Sequence, residues 1–335
     1  MLRSDDLIGI GMEADVVRRR LHPGNVVSYQ VDRNINYTNI CTEYCSFCAF
    51  YRPVGSPEGY VQPLESIYRK IDETLALGGT GILMQGGLHP DLKIDYYENL
   101  LSSIKRRYPQ LHLHCFSAPE VLNIAELSGL SLRDAILRLR DAGLDSIPGA
   151  GAEILDDEVR YRIARLKCST EEWIAVHRTA HQLGLRTTAT MMFGCGETLE
   201  HRVRHLERLR QLQEETGGFT AFIPWMFQPT HTSLGRTIKE EATAVDYLKT
   251  LAVSRCYLDN ILNVQASWLT PGHKICQIAL RFGGNDVGSI LIEENVVSAA
   301  GCTNTSTEEQ LRRLIADAGF RPVKRDTLYR TYFLN

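Results

Sequence analysis

The chain has 335 residues, of which 44% are hydrophobic and 23% are charged, and this is the composition of an ordinary globular protein. A net charge of −3, from 37 basic and 40 acidic residues, gives no electrostatic reason to expect a nucleic-acid partner. The sequence shows neither the apolar run of about 20 residues that a membrane span needs nor the basic and apolar start of a signal peptide. We therefore expect a cytoplasmic protein without a membrane partner.

Short β-rich runs alternate along the chain with amphipathic helical stretches. Several runs are apolar almost throughout, as strands of a parallel sheet are when helices cover both faces. Eight strands that alternate with helices favour an α/β fold with a closed (β/α)8 barrel of the TIM type, although the eighth strand also suits an accessory element. The predicted strands are Val26–Thr38, Thr80–Gly87, Leu111–Ser117, Ser146–Leu155, Arg186–Gly194, Gly217–Phe227, Ile261–Trp268 and Asp286–Glu293.

No low-complexity segment or Pro/Gly-rich linker divides the sequence, so we predict one barrel with additions at both ends. The predicted segments are a helical lead-in over residues 1–24, the barrel over residues 25–294, and a C-terminal helix and strand extension packed on the barrel over residues 295–335. In the extension, Ser306 and Glu309 form a capping-box pair for a helix predicted over Glu308–Ala318. A last strand is predicted over Thr327–Leu334.

Three cysteines are crowded together directly after the first predicted strand, at the barrel face where active sites are built. We call Cys41, Cys45 and Cys48 the cluster cysteines. A structural zinc site would need a fourth ligand, but no second Cys-x-x-Cys pair exists and only His89 is a nearby candidate. Three thiolates on one loop therefore favour a four-iron cluster with one open iron over zinc. The remaining cysteines are predicted to be buried and unreactive.

The spacing Cys-x3-Cys-x2-Cys, with the aromatic Phe47 before the last cysteine, resembles the signature of radical S-adenosylmethionine (SAM) enzymes. This resemblance implies a radical SAM barrel of the TIM type and a 4Fe-4S cluster whose open iron takes the amino and carboxylate groups of SAM. It further implies that one electron splits SAM into methionine and a 5′-deoxyadenosyl radical. A flavodoxin or a ferredoxin is the usual electron donor of such enzymes.

Glycine-rich and polar strand ends on the same face are candidates for binding SAM. Glu153 is a carboxylate at an apolar strand end, where it needs a ligand or an ion-pair partner such as Arg162 or Arg165. Glu120 either caps a helix or reaches the cofactor. The resemblance implies cofactor-binding roles for Phe47, Gly86, Gly87, Ser117, Glu153, Gly194 and Gly196.

The resemblance extends over most of the chain to radical SAM enzymes of the futalosine route to menaquinone. It is carried by Asn34–Pro53, Gln85–Asp91, Ile147–Leu155, Asn263–Trp268, Arg281–Gly288 and Ile292–Gly301. The ring-closing member of that route, which acts on dehypoxanthine futalosine, fits best. The implied reaction removes hydrogen from the ribose C4′ and closes a ring onto the benzoate, so its last step needs a base and an electron acceptor.

Late motifs in the chain are candidates for substrate binding and catalysis, although Asn285 and Asp286 also suit a simple turn and His231 a surface loop. The predicted substrate-binding residues are Gln265, Ser267, Trp268, Arg281, Asn285 and Asp286, and the predicted catalytic residues are Glu153, Asp286 and His231. The alternative functions are aminofutalosine synthase and the radical subunit of deazaflavin (FO) synthase. A non-catalytic iron–sulfur or zinc protein is the alternative from another class.

Overall fold

The computed structural model describes residues 1–330 and the backbone of the short strand at 332–333. The strands are β1 (Val26–Gln30), β2 (Asn34–Ile35), β3 (Gly81–Met84), β4 (His112–Cys115), β5 (Ser146–Ile147), β6 (Arg186–Phe193), β7 (Phe219–Met226), β8 (Asn263–Val264), β9 (Asp286–Ser289), β10 (Arg321–Arg325) and β11 (Tyr332–Phe333). The α-helices are α1 (Leu7–Leu21), α2 (Leu64–Ala76), α3 (Ile94–Arg107), α4 (Ala118–Ser128), α5 (Leu132–Asp141), α6 (Asp157–Ile163), α7 (Thr170–Gln182), α8 (Leu199–Thr216), α9 (Ala244–Tyr257), α10 (His273–Ala279), α11 (Val296–Ala299) and α12 (Glu308–Asp317).

The main sheet has seven parallel strands, β2 to β8, paired in the order of the chain. Parallel neighbours need crossover connections, and helices α2 to α9 lie within these connections. All seven strands therefore end at one face, and the loops that follow them meet there. This is the arrangement that places active-site residues at the carboxyl ends of strands.

The first predicted strand, Val26–Thr38, is divided in the structure into β1 and β2. Strand β1 leaves the main sheet and pairs in parallel with β9 and β10. A bridge between Gln265 and Asp286 joins β9 to the end of β8, and the Leu83 N–H donates to the Arg33 carbonyl beyond β1. The eighth predicted strand therefore fills the gap between the two edges of the main sheet. The predicted α/β fold of the TIM type is confirmed.

The C-terminal segment enters the fold through β10, a strand that we did not predict. It pairs in parallel with β1, from Val26 opposite Arg321 to Tyr29 opposite Lys324. The predicted strand Thr327–Leu334 is observed only as β11, which is antiparallel to β10, and residues 331, 334 and 335 lie outside the described residues. The sequence of β10, Arg-Pro-Val-Lys-Arg, contains three charged residues and a proline, so its pattern is not that of a buried strand.

Helix ends follow the local sequence closely. The capping box of α12 uses Thr307 and Gln310, one residue later than the predicted pair.

Before the barrel, α1 packs on α9, and its buried Arg18 donates to Asp15 at 2.7 Å while lying 4.8 Å over the Phe320 ring. Within the described residues, no helix has both the length and the apolar character required to cross a membrane.

Candidate active site

A cavity of about 430 Å³ opens at the carboxyl ends of the barrel strands and continues into the barrel. The cluster cysteines lie at one part of its wall, and the strand ends and the C-terminal segment supply the rest. A single cavity thus connects the predicted metal site with the polar interior of the barrel. Its size suits small organic ligands.

The loop after β2 holds the cluster cysteines through backbone contacts with other parts of the chain. The Cys41 N–H donates to the Arg52 carbonyl, and the Ser46 N–H donates to the Ile163 carbonyl, both at 3.0 Å. Cys41 and Cys45 are buried, while Cys48 is partly exposed. The loop is therefore fixed both to α6 and to its own end at Arg52, and its three cysteines line the cavity.

The three thiols suit a multi-iron cluster better than one ion. Within the described residues, the only trio of possible ligand atoms within 4.8 Å of one another is that of Asp156, Glu158 and His201, so the sulfurs of the cluster cysteines are spread more widely. Zinc would draw its thiolates to about 3.8 Å apart, since Zn–S bonds are about 2.3 Å long. Burial raises the pKa of the Cys41 and Cys45 thiols, so binding of the cluster must displace their protons.

Glycines at the end of β3 let the chain approach the cysteine loop. A Cβ atom at Gly87 would lie 2.2 Å from the Ile40 carbonyl oxygen and 2.8 Å from Cys41 Cβ. A Cβ atom at Gly86 would lie 2.7 Å from the Tyr37 ring. We expected these glycines to make room for a ligand, and both line the cavity. The atoms that a side chain would meet at either position, however, belong to the protein itself, so close packing of the chain requires glycine there.

Glu120 connects the ends of three strands beside the cavity. Its carboxylate accepts hydrogen bonds from the Gly86 N–H (2.9 Å), the Tyr37 hydroxyl (2.8 Å), and the N–H and hydroxyl of Ser117 (2.7 and 2.6 Å). Ser117 and Glu120 form the capping box of α4, and both residues line the cavity. Burial raises the pKa of Glu120, and these hydrogen bonds oppose that shift.

Glu153 follows β5 in a strained conformation, with φ of 40°. Its Oε1 lies 3.3 Å from Lys167 Nζ, and its Oε2 lies 3.9 Å from Arg160 Nη1 without a hydrogen bond from any described residue. The ion-pair partners are therefore Lys167 and Arg160 rather than the suggested Arg162 or Arg165. A strained residue with an uncommitted buried oxygen is typical of a ligand site.

Phe47 lies beside the same charged group. The Lys167 Nζ is 5.1 Å from the centre of the Phe47 ring, and both residues line the cavity. Burial lowers the pKa of Lys167, but Glu153 and Cys45 raise it by more, so the ammonium stays charged. This part of the cavity therefore places a cation between the cysteine loop and Glu153.

The interior side of the first strands carries the polar wall, which consists of Gln30, Asp32, Asn34 and Asn36. These residues are two positions apart, so they point to one side of an extended chain. Asp32 Oδ1 and Asn34 Oδ1 are buried without a hydrogen-bond partner in the part of the chain that the structure describes. Each uncommitted acceptor costs about 1–3 kcal/mol unless a ligand or water satisfies it.

An ion pair between β9 and β10 closes the cavity next to the polar wall. Arg325 donates to both oxygens of Asp286 at 2.6 and 2.9 Å and to Gln30 Oε1 at 2.6 Å. The Ser28 hydroxyl also donates to Asp286 at 2.5 Å. Asp286 is fully buried, does not line the cavity and has its carboxylate held in this ion pair.

Two further predicted substrate residues lie outside the cavity lining. Arg281 is exposed, donates to the Ala318 carbonyl at 2.6 Å and lies 4.2 Å over the Phe320 ring. Asn285 is buried, and its side-chain oxygen accepts a hydrogen bond from the Val264 N–H at 2.9 Å. Both side chains join elements of the fold instead of facing a ligand.

The other predicted residues outside the lining are His231, Gly194 and Gly196. His231 is exposed on the loop after β7 and borders a separate shallow pocket. The Gly194 N–H donates to the Glu197 carboxylate at 2.8 Å, and the Gly196 carbonyl accepts from Arg162 at 2.7 Å. The glycine motif after β6 therefore forms a turn that is held by its own neighbours.

Gln265, Ser267 and Trp268 do line the cavity after β8. The Trp268 indole N–H donates to the Ser289 carbonyl at 2.9 Å, and one face of its ring stacks on His273 at 5.3 Å. The indole is therefore fixed in place by a hydrogen bond and a stacked neighbour.

Sequence reasoning missed several residues of the cavity. They include Asp32, Asn34, His114, Lys167, Trp225 and Arg325. The two-residue repeat of polar side chains from Gln30 to Asn36 was a signal for the polar wall, because such a repeat inside an apolar barrel strand marks a polar interior. Arg325 carried no local signal, since only the pairing of β10 with β1 brings it into the barrel.

Comparison with known proteins agrees with this geometry. Residues 35–209 match the model of the radical SAM superfamily, and residues 216–334 match the CofH/MqnC C-terminal region. The fold is similar to the crystal structure of methylornithine synthase, with a TM-score of 0.71 and 20% identity over 96% of this chain and 90% of that one. The chain therefore belongs to the radical SAM superfamily, whose enzymes use a 4Fe-4S cluster and SAM.

Several relatives within this superfamily are similar to the chain over nearly its whole length. The chain is 48% identical to cyclic dehypoxanthine futalosine synthase of Halalkalibacterium halodurans, over 98% of this chain and 88% of the relative. It is 45% identical to the Streptomyces coelicolor enzyme of the same name, over 98% and 83%. Aminodeoxyfutalosine synthase of Thermus thermophilus is 39% identical, over 98% and 90%.

Proposed function

We propose that this enzyme converts dehypoxanthine futalosine to cyclic dehypoxanthine futalosine in the futalosine route to menaquinone. The observation that carries the proposal is the identity of 45–48%, over nearly the whole chain, to two enzymes of that name. When bound, the cluster and SAM supply a 5′-deoxyadenosyl radical that takes hydrogen from the ribose C4′. The substrate then closes a ring onto its benzoate and loses a proton and an electron.

The residues of the cavity divide between the cofactor and the substrate in this proposal. The cluster cysteines would hold the iron, while Gly86, Gly87, Ser117, Glu153 and Phe47 line the part of the cavity that would take SAM. Glu120 holds the Gly86 backbone and the start of α4 in place from behind. These groups line the same cavity as the polar interior of the barrel, so a bound cofactor and a bound substrate would share one space.

The polar wall and the residues after β8 take the substrate. The uncommitted side-chain oxygen of Asn34 accepts a hydrogen bond from a hydroxyl group of the ribose. Trp225 and Trp268 give the cavity aromatic surface for the benzoate ring.

The test is an anaerobic reaction of the reconstituted enzyme with SAM, dithionite and dehypoxanthine futalosine, analysed by mass spectrometry. We expect 5′-deoxyadenosine and a product two hydrogens lighter than the substrate. Cys45→Ala is the matched control and should give neither compound. A product that retains the adenosyl group would contradict the proposal in favour of an aminofutalosine synthase. A flavodoxin or ferredoxin should replace dithionite as the electron donor.

A further inference from the structure

The ring closure needs a base, and none of the predicted candidates is free to serve in the polar part of the cavity. Asp286 is bonded through both oxygens to Arg325, and His231 borders another pocket. Glu153 shares its region with Lys167 and Phe47, next to the cysteine loop. The base must therefore be sought among the other carboxylates that line the cavity.

Most of those carboxylates already have fixed partners or a place near the metal site. Glu120 accepts four hydrogen bonds, and Glu294 caps α11 by accepting from the backbone N–H groups of Val296, Val297 and Ser298. Glu43 lies within the cysteine loop. Only Asp32 remains in the polar wall with an oxygen that no described residue engages.

The surroundings of Asp32 raise the pKa of its carboxyl group towards neutral pH. It lies just beyond β1, it is 9% exposed, and its neighbours on the second sheet are Ser289 and Asp286 of β9 and Arg325 of β10. Burial raises the pKa of Asp32 to about 6, with Asp286 adding to the shift and with the Ser289 hydrogen bond and Arg325 opposing it. A carboxylate of this kind is ionised at neutral pH and still basic enough to take a proton efficiently.

We propose that Asp32 is the general base that removes the proton from the aromatic carbon after ring closure. This inference rests on the proposed function. The C–H bond of that carbon breaks, its proton passes to a carboxylate oxygen of Asp32, and its electron pair restores the aromatic ring. The one excess electron would be taken up by the bound iron–sulfur cluster in its oxidised state, and the proton later leaves to water, so atoms and electrons balance.

The products formed by the Asp32→Asn variant distinguish a role as general base from a role in binding or folding. The amide has the same shape, so formation of 5′-deoxyadenosine that depends on the substrate should stay within about threefold of wild type. Formation of the cyclised product should fall by about 100-fold or more, since a general base contributes about 10²–10⁴-fold. Freeze-quenched samples should then show an organic radical by electron paramagnetic resonance that the wild type does not accumulate.

Asp32→Glu should recover part of product formation, because it retains a carboxylate. Asp145→Asn is the matched control, since Asp145 is a half-buried carboxylate paired with Lys105 outside the cavity lining. It should keep the wild-type ratio of product to 5′-deoxyadenosine. In the wild type this ratio should fall as the pH drops below about 6, and in Asp32→Asn it should not depend on pH there.

Two results would overturn the inference while leaving the proposed function intact. One is product formation by Asp32→Asn within threefold of wild type. The other is loss of 5′-deoxyadenosine together with product, which would make Asp32 a binding residue. Failure of the wild type to form any cyclised product would instead refute the proposed function, and the role of Asp32 would fall with it.

Discussion

Replacing Arg325 with Met should destabilise the enzyme strongly, because it would leave Asp286 charged and buried. The side chains of Arg325 and Asp286 are 4% and 0% exposed, and two hydrogen bonds of 2.6 and 2.9 Å join them. Removing one partner of such a buried pair costs about 3–5 kcal/mol. The same change should loosen β10, which carries the C-terminal segment into the barrel.

The free energy of unfolding can be measured by urea denaturation under anaerobic conditions, with wild type and variants matched in iron content. The double variant Arg325→Met/Asp286→Asn should be more stable than Arg325→Met alone by about 1–3 kcal/mol, since the stranded charge is gone. A loss below about 1 kcal/mol for Arg325→Met would contradict a buried, coupled ion pair, because the pair would then behave like one on the surface.

Three further outcomes are expected. Alanine at any of the cluster cysteines should abolish 5′-deoxyadenosine formation, whereas Cys256→Ala should leave the absorbance of the cluster unchanged. Glu120→Ala should weaken SAM binding about tenfold, as measured by calorimetry, because the Gly86 N–H loses its hydrogen bond to the Glu120 carboxylate. Unchanged affinity would show that this hydrogen bond does not support SAM binding. Burial lowers the pKa of His205 to about 3, so it stabilises the fold above pH 6.5, and this contribution is lost as the pH falls towards 3. At about pH 5, the slope of the free energy of unfolding against pH should therefore be smaller in His205→Gln than in the wild type by about 1.4 kcal/mol per pH unit. An unchanged slope would contradict a buried, neutral His205.

The barrel and the metal loop were accessible from sequence because their signals are local. Buried parallel strands are apolar along their length, and the spacing of the cluster cysteines lies within eight residues. The position of β9 was harder to predict, since the strand joins the barrel through β1, which is far away in the chain. Pairings of this kind depend on tertiary contacts that no sequence window contains.

Side chains near the cavity show the same limit. Asp286 and Asn285 looked like ligands because polar residues beside a strand often face a site. Their partners, Arg325 and Arg255, come from distant segments and neutralise or engage them. Asp32 had the opposite outcome: the polar repeat from Gln30 to Asn36 marks it as polar, but only the three-dimensional structure shows that its Oδ1 has no hydrogen-bond partner among the described residues.

The most direct test of the proposed chemistry uses dehypoxanthine futalosine that carries deuterium at the ribose C4′. One deuterium should appear in 5′-deoxyadenosine, and the cyclised product should have lost it. Cluster-dependent 5′-deoxyadenosine without deuterium, while the cyclised product keeps its label, would contradict hydrogen removal from that carbon.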